Sequence, residues 1–464
     1  MVFSSLLFLC IFLPAVLLFY NLSKNLTYKN IVLVISSLIF YAWGEPVWVL
    51  MLLFSAMVDY TCGRIIDKYR GGWQPKVALL SSLIINFGIL FVFKYSGFIV
   101  DNINMIFKTN IPFNGFSLPL GISFYTFQTV SYTIDVYRND TKVQKSPLKY
   151  LTYLSMFPQL VAGPIVRYAD VDKQVNDRTV TREDFECGVY RFAQGMFKKV
   201  ILANSAGAVA TSLLGGDLSN VSSLGAFLGM LMYTFQIYFD FSGYSDMAIG
   251  MGRFFGFKFL ENFNYPYIST SATDFWRRWH MSLSSFFRDY VYIPLGGNRK
   301  AQMRNILVVW MLTGFWHGAS WNFILWGLYY GIILIIEKKL FNQRLLKLPR
   351  PLGLLYSSTI IFFGWTLFYF TDMTQIARFL KALFGFNGMW FDLASVTTLL
   401  TNIFLLVLLF VSSTPYPKNM YMKITEKHPA VATVFSPLMV LIVMAVSFTL
   451  LVGQTYNPFL YFRF

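Results

Sequence analysis

Two of the three histidines in this chain, His280 and His317, stand among tryptophans and phenylalanines. An imidazole changes charge near neutrality and can take or give a proton, so its presence in such surroundings points to general acid–base chemistry. His317 lies in residues 305–336, NILVVWMLTGFWHGASWNFILWGLYYGIILII, a run without Asp, Glu, Lys or Arg. His280 lies in residues 271–298, SATDFWRRWHMSLSSFFRDYVYIPLGGN. Two histidines on separate segments that a fold can bring together suit proton transfer, whereas a metal site wants more His, Cys or carboxylate ligands than are gathered here. The third, His428 in TEKHPA, reads as a solvated loop residue. The plainer readings are that His317 is an interhelical hydrogen-bond partner and that residues 271–293 form an interfacial helix with snorkelling arginines. The second accounts for Arg277, Arg278 and Arg288 but not for a histidine on the apolar side.

The elements that must hold these groups follow from periodicity and length. Residues 305–336 far exceed the roughly 20 apolar residues of one spanning helix, so the run must break or turn. Thr313, Gly314, Gly318 and Ser320 crowd around Trp316 and His317 and mark the break. Irregular backbone at membrane depth is tolerated only against protein or a wet cavity, which places an imidazole inside a membrane beside a cavity. In the other segment Ser271-x-x-Asp274 predicts a helix start, and Trp276, His280, Leu283 and Phe287 recur at three- and four-residue steps. The spacing predicts one amphipathic helix with His280 on its apolar side, ended by Ile293-Pro294-Leu295-Gly296-Gly297.

Composition gives the class. Of 464 residues 56% are hydrophobic and 13% charged, against about 25% charged in soluble domains. The mean hydropathy is +0.53. Several runs reach spanning length, so the chain is an all-α polytopic membrane protein and not a β-barrel of short alternating strands. A net charge of +16 would suggest nucleic acid in a soluble protein. Here the basic residues cluster in short links between apolar runs, as topology-setting loops do, with anionic lipid or a phosphorylated donor as added roles. Cys10, Cys62 and Cys187 show no disulfide or zinc spacing. Residues 2–20 read as a retained first span, and residues 97–107 as an interfacial helix. Residues 157–167, FPQLVAGPIVR, read as a broken or re-entrant segment. In YFDFSGYSDMAIGMGRFF, Asp240 and Asp246 flank Gly243, which suggests a local break. The two acids suit metal ligation, a proton relay or structural acceptance, of which the structural role is expected. No fixed-period repeat and no soluble domain is seen.

The motifs DFWRRWHMSLSSFFRDYVYIPLGGNR and MLTGFWHGASWNFILWG, with PLGISFYTFQTVSYTIDVYR, FPQLVAGPIVR and YFDFSGYSDMAIGMGRFFGF, resemble the membrane-bound O-acyltransferase superfamily, in its bacterial alginate O-acetylase branch. The resemblance runs from about Tyr41 to the end of the chain. It implies a single membrane-embedded domain over 1–464, with 10–13 helices, some broken or interfacial, around a central tunnel. The signature histidine carries over to His317, and a second position, histidine or asparagine in the family, carries over to His280. Trp316, Trp321, Asn322, Asp240 and Arg278 are expected along the tunnel.

The implied donor is acetyl-CoA, with no bound cofactor and no metal. The implied partners are a periplasmic SGNH-type acetyltransferase, a polysaccharide acceptor and the lipid bilayer of a bacterial inner membrane, with no nucleic acid. The tail, residues 459–464, reads by composition as an interfacial anchor. Its Phe459-x-Tyr461-x-x-Phe464 pattern also resembles the C-terminal motif of the small partner peptide in teichoic acid D-alanylation, which implies Tyr461 as an acyl relay. The competing classes are an export or transport subunit and a scaffold, neither with chemistry of its own.

Overall fold

The computed structural model describes residues 1–464 other than 162, 342–347, 454–458 and 461–464, and among the described residues every regular element is helical. Tyr461 therefore lies outside the described residues. Among the described residues six helices are long and apolar enough to cross a membrane, and a pair bent by 56°, Leu393–Thr401 with Ile403–Ser412, makes a seventh if counted as one span. The chain divides into two compact units.

The first unit comprises Met1–Phe192 and Tyr244–Leu260 with the described start of the tail. Its helices include α1 (Leu13–Asn21), α2 (Leu26–Gly44), α3 (Val49–Lys68), α4 (Gln74–Phe107) and α5 (Ile122–Arg138). The Gly44-Glu45-Pro46 break ends α2, since Pro removes a donor and restricts the residue before it. Helices α3, α4 and α5 pack on one another. The separate interfacial helix expected over residues 97–107 is absent, because the helix continues without a break to Phe107. Residues 157–167 are broken as expected: one short turn, Phe157–Leu160, is followed by non-helical backbone at the described positions. Phe459 is buried in this unit and stacks on Tyr244 with ring centroids 4.9 Å apart.

The long helix α6 (Ser223–Phe254) gives residues to both units. It does not break at Gly243. A Cβ there would meet Gly195 O and Lys199 N, each at 2.9 Å, so this glycine serves close backbone approach.

The second unit comprises Ala193–Gly243 and most of 261–453. It carries α7 (Ala272–Arg278), α8 (Met281–Phe287), α9 (Gln302–His317), α10 (Trp321–Ile336) and α11 (Arg350–Tyr369). Helices α9 and α10 are the two arms of the uncharged run, turning at Gly318–Ser320 as the small residues predict. Gly314 faces Phe323 and Gly327, and Trp310 faces Gly327 and Gly331, the inverse order of an antiparallel hairpin. A Cβ on Gly314 would lie 2.3 Å from Phe323 O, and one on Gly327 2.4 Å from Trp310 O. The arms touch backbone to backbone, and only glycine permits that. The turn before α9 is held by Asn305, whose Nδ2 donates to Gly297 O at 3.0 Å and Lys300 O at 2.7 Å.

Candidate active site

The apolar stripe around His280 is two helices, not one. Trp279 and His280 separate α7 from α8, and His280 has φ 45° and ψ 54°, in the left-handed region. A non-glycine residue there is strained, and such strain gathers at functional sites. The break turns the imidazole inward to 1% exposure. Its Nδ1 lies 3.1 Å from Asn262 Oδ1. That oxygen also accepts from Ser282 N at 3.2 Å and Ser282 Oγ at 2.9 Å, so it is an acceptor and Nδ1 carries the hydrogen. The lone pair is then on Nε2. Burial pushes the His280 imidazole down, to about 3, which keeps it neutral.

His317 ends α9 and is 4% exposed. Trp326 and Phe368 meet its ring edge to face, with centroids at 5.0 and 5.3 Å. Trp316 stands between the two histidines, 5.0 Å from the His317 ring and 6.2 Å from the His280 ring.

Both histidines line one cavity of about 640 Å³. One wall is a single face of α9, formed by Ile306, Val309, Trp310, Thr313 and His317. At 1.5 Å per residue this face runs about 16 Å, from Ile306 to His317. Glu337 and Lys338 line the end remote from the hairpin turn, and Arg277 and Arg288 add exposed guanidinium groups to the lining. Burial and the nearby Arg277 charge both push the Lys338 ammonium down, so these two cations feel each other. The buried Glu337 carboxylate accepts from Ala272 N at 2.7 Å, Thr273 N at 2.9 Å and Thr273 Oγ1 at 2.6 Å. It therefore fixes the first turn of α7, where the helix dipole favours a negative group, against the end of α10. Trp276 completes the joint by packing on Trp310 and Tyr330, with centroids at 4.6 and 4.9 Å.

The other expected tunnel residues are placed differently. Arg278 pairs with Asp274 at 2.9 Å, and its neighbour Arg277 lines the cavity instead. Asp240 pairs with Lys199 at 2.5 Å, both side chains buried, which agrees with a structural role. Asn322 donates to Leu367 O at 3.2 Å and so ties α10 to α11. Trp321 is 52% exposed and is not part of the cavity wall. Asn262 and Glu337 were missed by sequence reasoning. Asn262 has no readable signal, since its partner is 18 residues away. Glu337 had one: it is the first charge after the long uncharged run.

A family model described as MBOAT, the membrane-bound O-acyltransferase family, matches residues 138–380. The probable alginate O-acetylase AlgI of Pseudomonas aeruginosa is 42% identical over 84% of this chain and 76% of its own length. The chain belongs to the membrane-bound O-acyltransferase family. The corresponding Pseudomonas putida protein is 38% identical over 100% of both chains. The peptidoglycan O-acetyltransferase of Helicobacter pylori is 35% identical over 84% of this chain and 80% of its own length. Membership makes the protein a multi-pass membrane O-acyltransferase, and both histidines fall inside the family's matched segment.

Proposed function

We propose that this acyltransferase moves an acetyl group from a cytoplasmic thioester, acetyl-CoA, across a bacterial inner membrane. The acceptor is an extracytoplasmic polysaccharide, an alginate-like exopolysaccharide or peptidoglycan, reached directly or through a periplasmic SGNH-type transferase. The observation that carries this reading is the single cavity with two buried histidines at one end and Arg277, Arg288 and Lys338 in its lining. Its size suits a small-molecule site. Arg277 and Lys338 match the phosphates of a nucleotide-borne donor, while Arg288 is engaged by Asp289 at 2.6 and 3.1 Å.

In the reaction an acceptor hydroxyl attacks the thioester carbonyl while His317 takes its proton. The tetrahedral intermediate collapses to the ester, and the leaving thiolate receives a proton to become the free thiol. His280, neutral with its lone pair on Nε2, assists at the same end of the cavity. The rings packed around His317 exclude water that would otherwise hydrolyse the donor. Tyr461 is the first such acceptor: its phenol attacks the thioester with a histidine as base, and the hydroxyl of the final acceptor then attacks the resulting aryl ester, which releases the phenol.

The test is thioester cleavage in membranes together with envelope O-acetyl content. His317→Ala at normal protein level should lose both. Retained O-acetylation would remove His317 from the chemistry, and a silent His317→Ala beside loss of O-acetylation whenever complex assembly is disrupted would favour a scaffold.

A further inference from the structure

Tyr292 stands apart from the other rings that line the cavity. Trp276, Trp279 and Trp310 each pack on further aromatics, and Phe287 packs on Phe286. Tyr292 has no ring neighbour among the described residues. It closes one turn of π-helix, Arg288–Tyr292, after which Ile293 N reaches back to Arg288 O at 2.9 Å. Turns of this kind are often found at functional sites. The Tyr292 hydroxyl donates to Asn298 Oδ1 at 2.8 Å and accepts from Gln302 Nε2 at 3.3 Å. Both bonds fix the far end of a half-buried ring whose faces no other ring covers.

The surroundings of this ring suit a nucleotide. Asn298 Oδ1 also accepts from Lys338 Nζ at 3.5 Å, and Lys338 lines the same cavity. Phenol and ammonium share one acceptor, so an aromatic face and a cation stand side by side, as a base and its phosphate require. Asn298 and Lys338 are exposed, so this end of the cavity meets solvent. Gln302 opens α9 and His317 ends it, 15 residues apart (317 − 302), or about 22 Å along the axis. The bond from Gln302 thus holds Tyr292 at the opposite end of α9 from the proposed base. A thioester at His317 leaves that length for the arm that joins it to its nucleotide.

We propose that Tyr292 stacks the adenine base of the donor, with Lys338 on an adjoining phosphate. This rests on the thioester-donor reading above and adds a residue that selects the class of donor: a free nucleotide thioester rather than an acyl group on a carrier protein. Stacking uses the face of the base and not its edges, and loss of such a ring weakens binding about tenfold or more.

The experiment compares thiol release from acetyl-CoA and from acetyl-pantetheine, which carries the same thioester without the nucleotide. It uses membranes with equal amounts of protein, counted above the His317→Ala background. Wild type should show a KM for acetyl-CoA at least about tenfold below that for acetyl-pantetheine, and Tyr292→Ala should narrow this ratio about tenfold. Tyr292→Phe, which retains the ring, should keep it. Adenosine diphosphate, a probe with neither thioester nor arm, should bind the purified wild type and bind Tyr292→Ala about tenfold more weakly. Equal KM values for the two donors in wild type overturn the base site and leave the thioester chemistry standing, and that comparison requires no variant to fold. A ratio unchanged in Tyr292→Ala, or equal binding of adenosine diphosphate to both proteins, also overturns it. Cleavage of neither donor by wild type overturns the thioester reading and this proposal with it.

Discussion

Gly314→Ala introduces a methyl group where α9 and α10 already touch. The added Cβ would stand 2.3 Å from Phe323 O and 3.2 Å from Gly327 Cα, whereas ordinary contact begins at 3.4 Å. The obstacle is backbone on both counts, so the arms must part by about 1 Å. Gly314 is one helical turn before His317, and that displacement reaches the imidazole almost undiminished. A misplacement of about 1 Å typically costs on the order of a hundredfold in rate, while overpacking of this kind costs about 1–3 kcal/mol of stability. The variant should therefore remain inserted and helical, with its thermal midpoint lowered, and cleave thioester about a hundredfold more slowly. Membrane preparations normalised for protein supply the assay. Gly216→Ala, where a Cβ meets nothing within 4 Å, is the control and should match wild type. Gly314→Ala activity within twofold of the control would show that hairpin contact does not position the proposed base, His317.

Four further outcomes are expected. Arg277→Gln and Lys338→Gln should each raise the donor KM about tenfold with kcat nearly unchanged, the signature of lost binding to charged groups; a fall in kcat alone would refute donor contact. The His280 pKa lies near 3 in the folded protein against 6.5 for the free side chain, so the unfolded chain binds the proton first and stability should fall as pH drops below 6.5. Asn262→Asp, which sets a carboxylate on Nδ1, should bring an acid limb into the rate profile nearer neutrality, and an unchanged profile would sink the tautomer argument. Tyr461→Phe should abolish transfer to the acceptor while leaving the protein inserted, with an acetyl adduct on the tail found by intact mass in wild type alone; normal envelope acetylation in the variant would remove the relay.

Residues 305–336 were legible because a membrane imposes a length on any uncharged run, and glycines mark where it must turn. The break at His280 was not legible. The stripe from Trp276 to Phe287 keeps helical spacing across it, and the left-handed residue that interrupts it is held by Asn262 from 18 positions away. Gly243 misled for a related reason. A glycine that serves a neighbouring backbone looks, in sequence, like one that bends its own helix. Arg277 and Arg278 are adjacent and chemically alike, and which of them lines the cavity follows from how α7 is rotated against its neighbours, which the sequence does not show. Motif resemblance singled out the two histidines, but Asn262, which holds His280, and Glu337, which holds α7 against the end of α10, lie outside the motifs and act through the tertiary fold.

The backbone at His280 also restricts which amino acids can stand there. Left-handed φ and ψ are tolerated by glycine and, among side chains that carry chemistry, by Asn, Asp and His. The alternatives at this position in the resembling family, histidine and asparagine, both belong to that small alphabet. Substitution at position 280 thus meets two constraints, the proposed chemistry and a torsion angle that most side chains adopt only at a cost. His280→Gly is the informative exception, since it relaxes the torsion while deleting the imidazole. It should fold at least as well as His280→Ala and be no more active, which would separate the two filters in a single pair of variants.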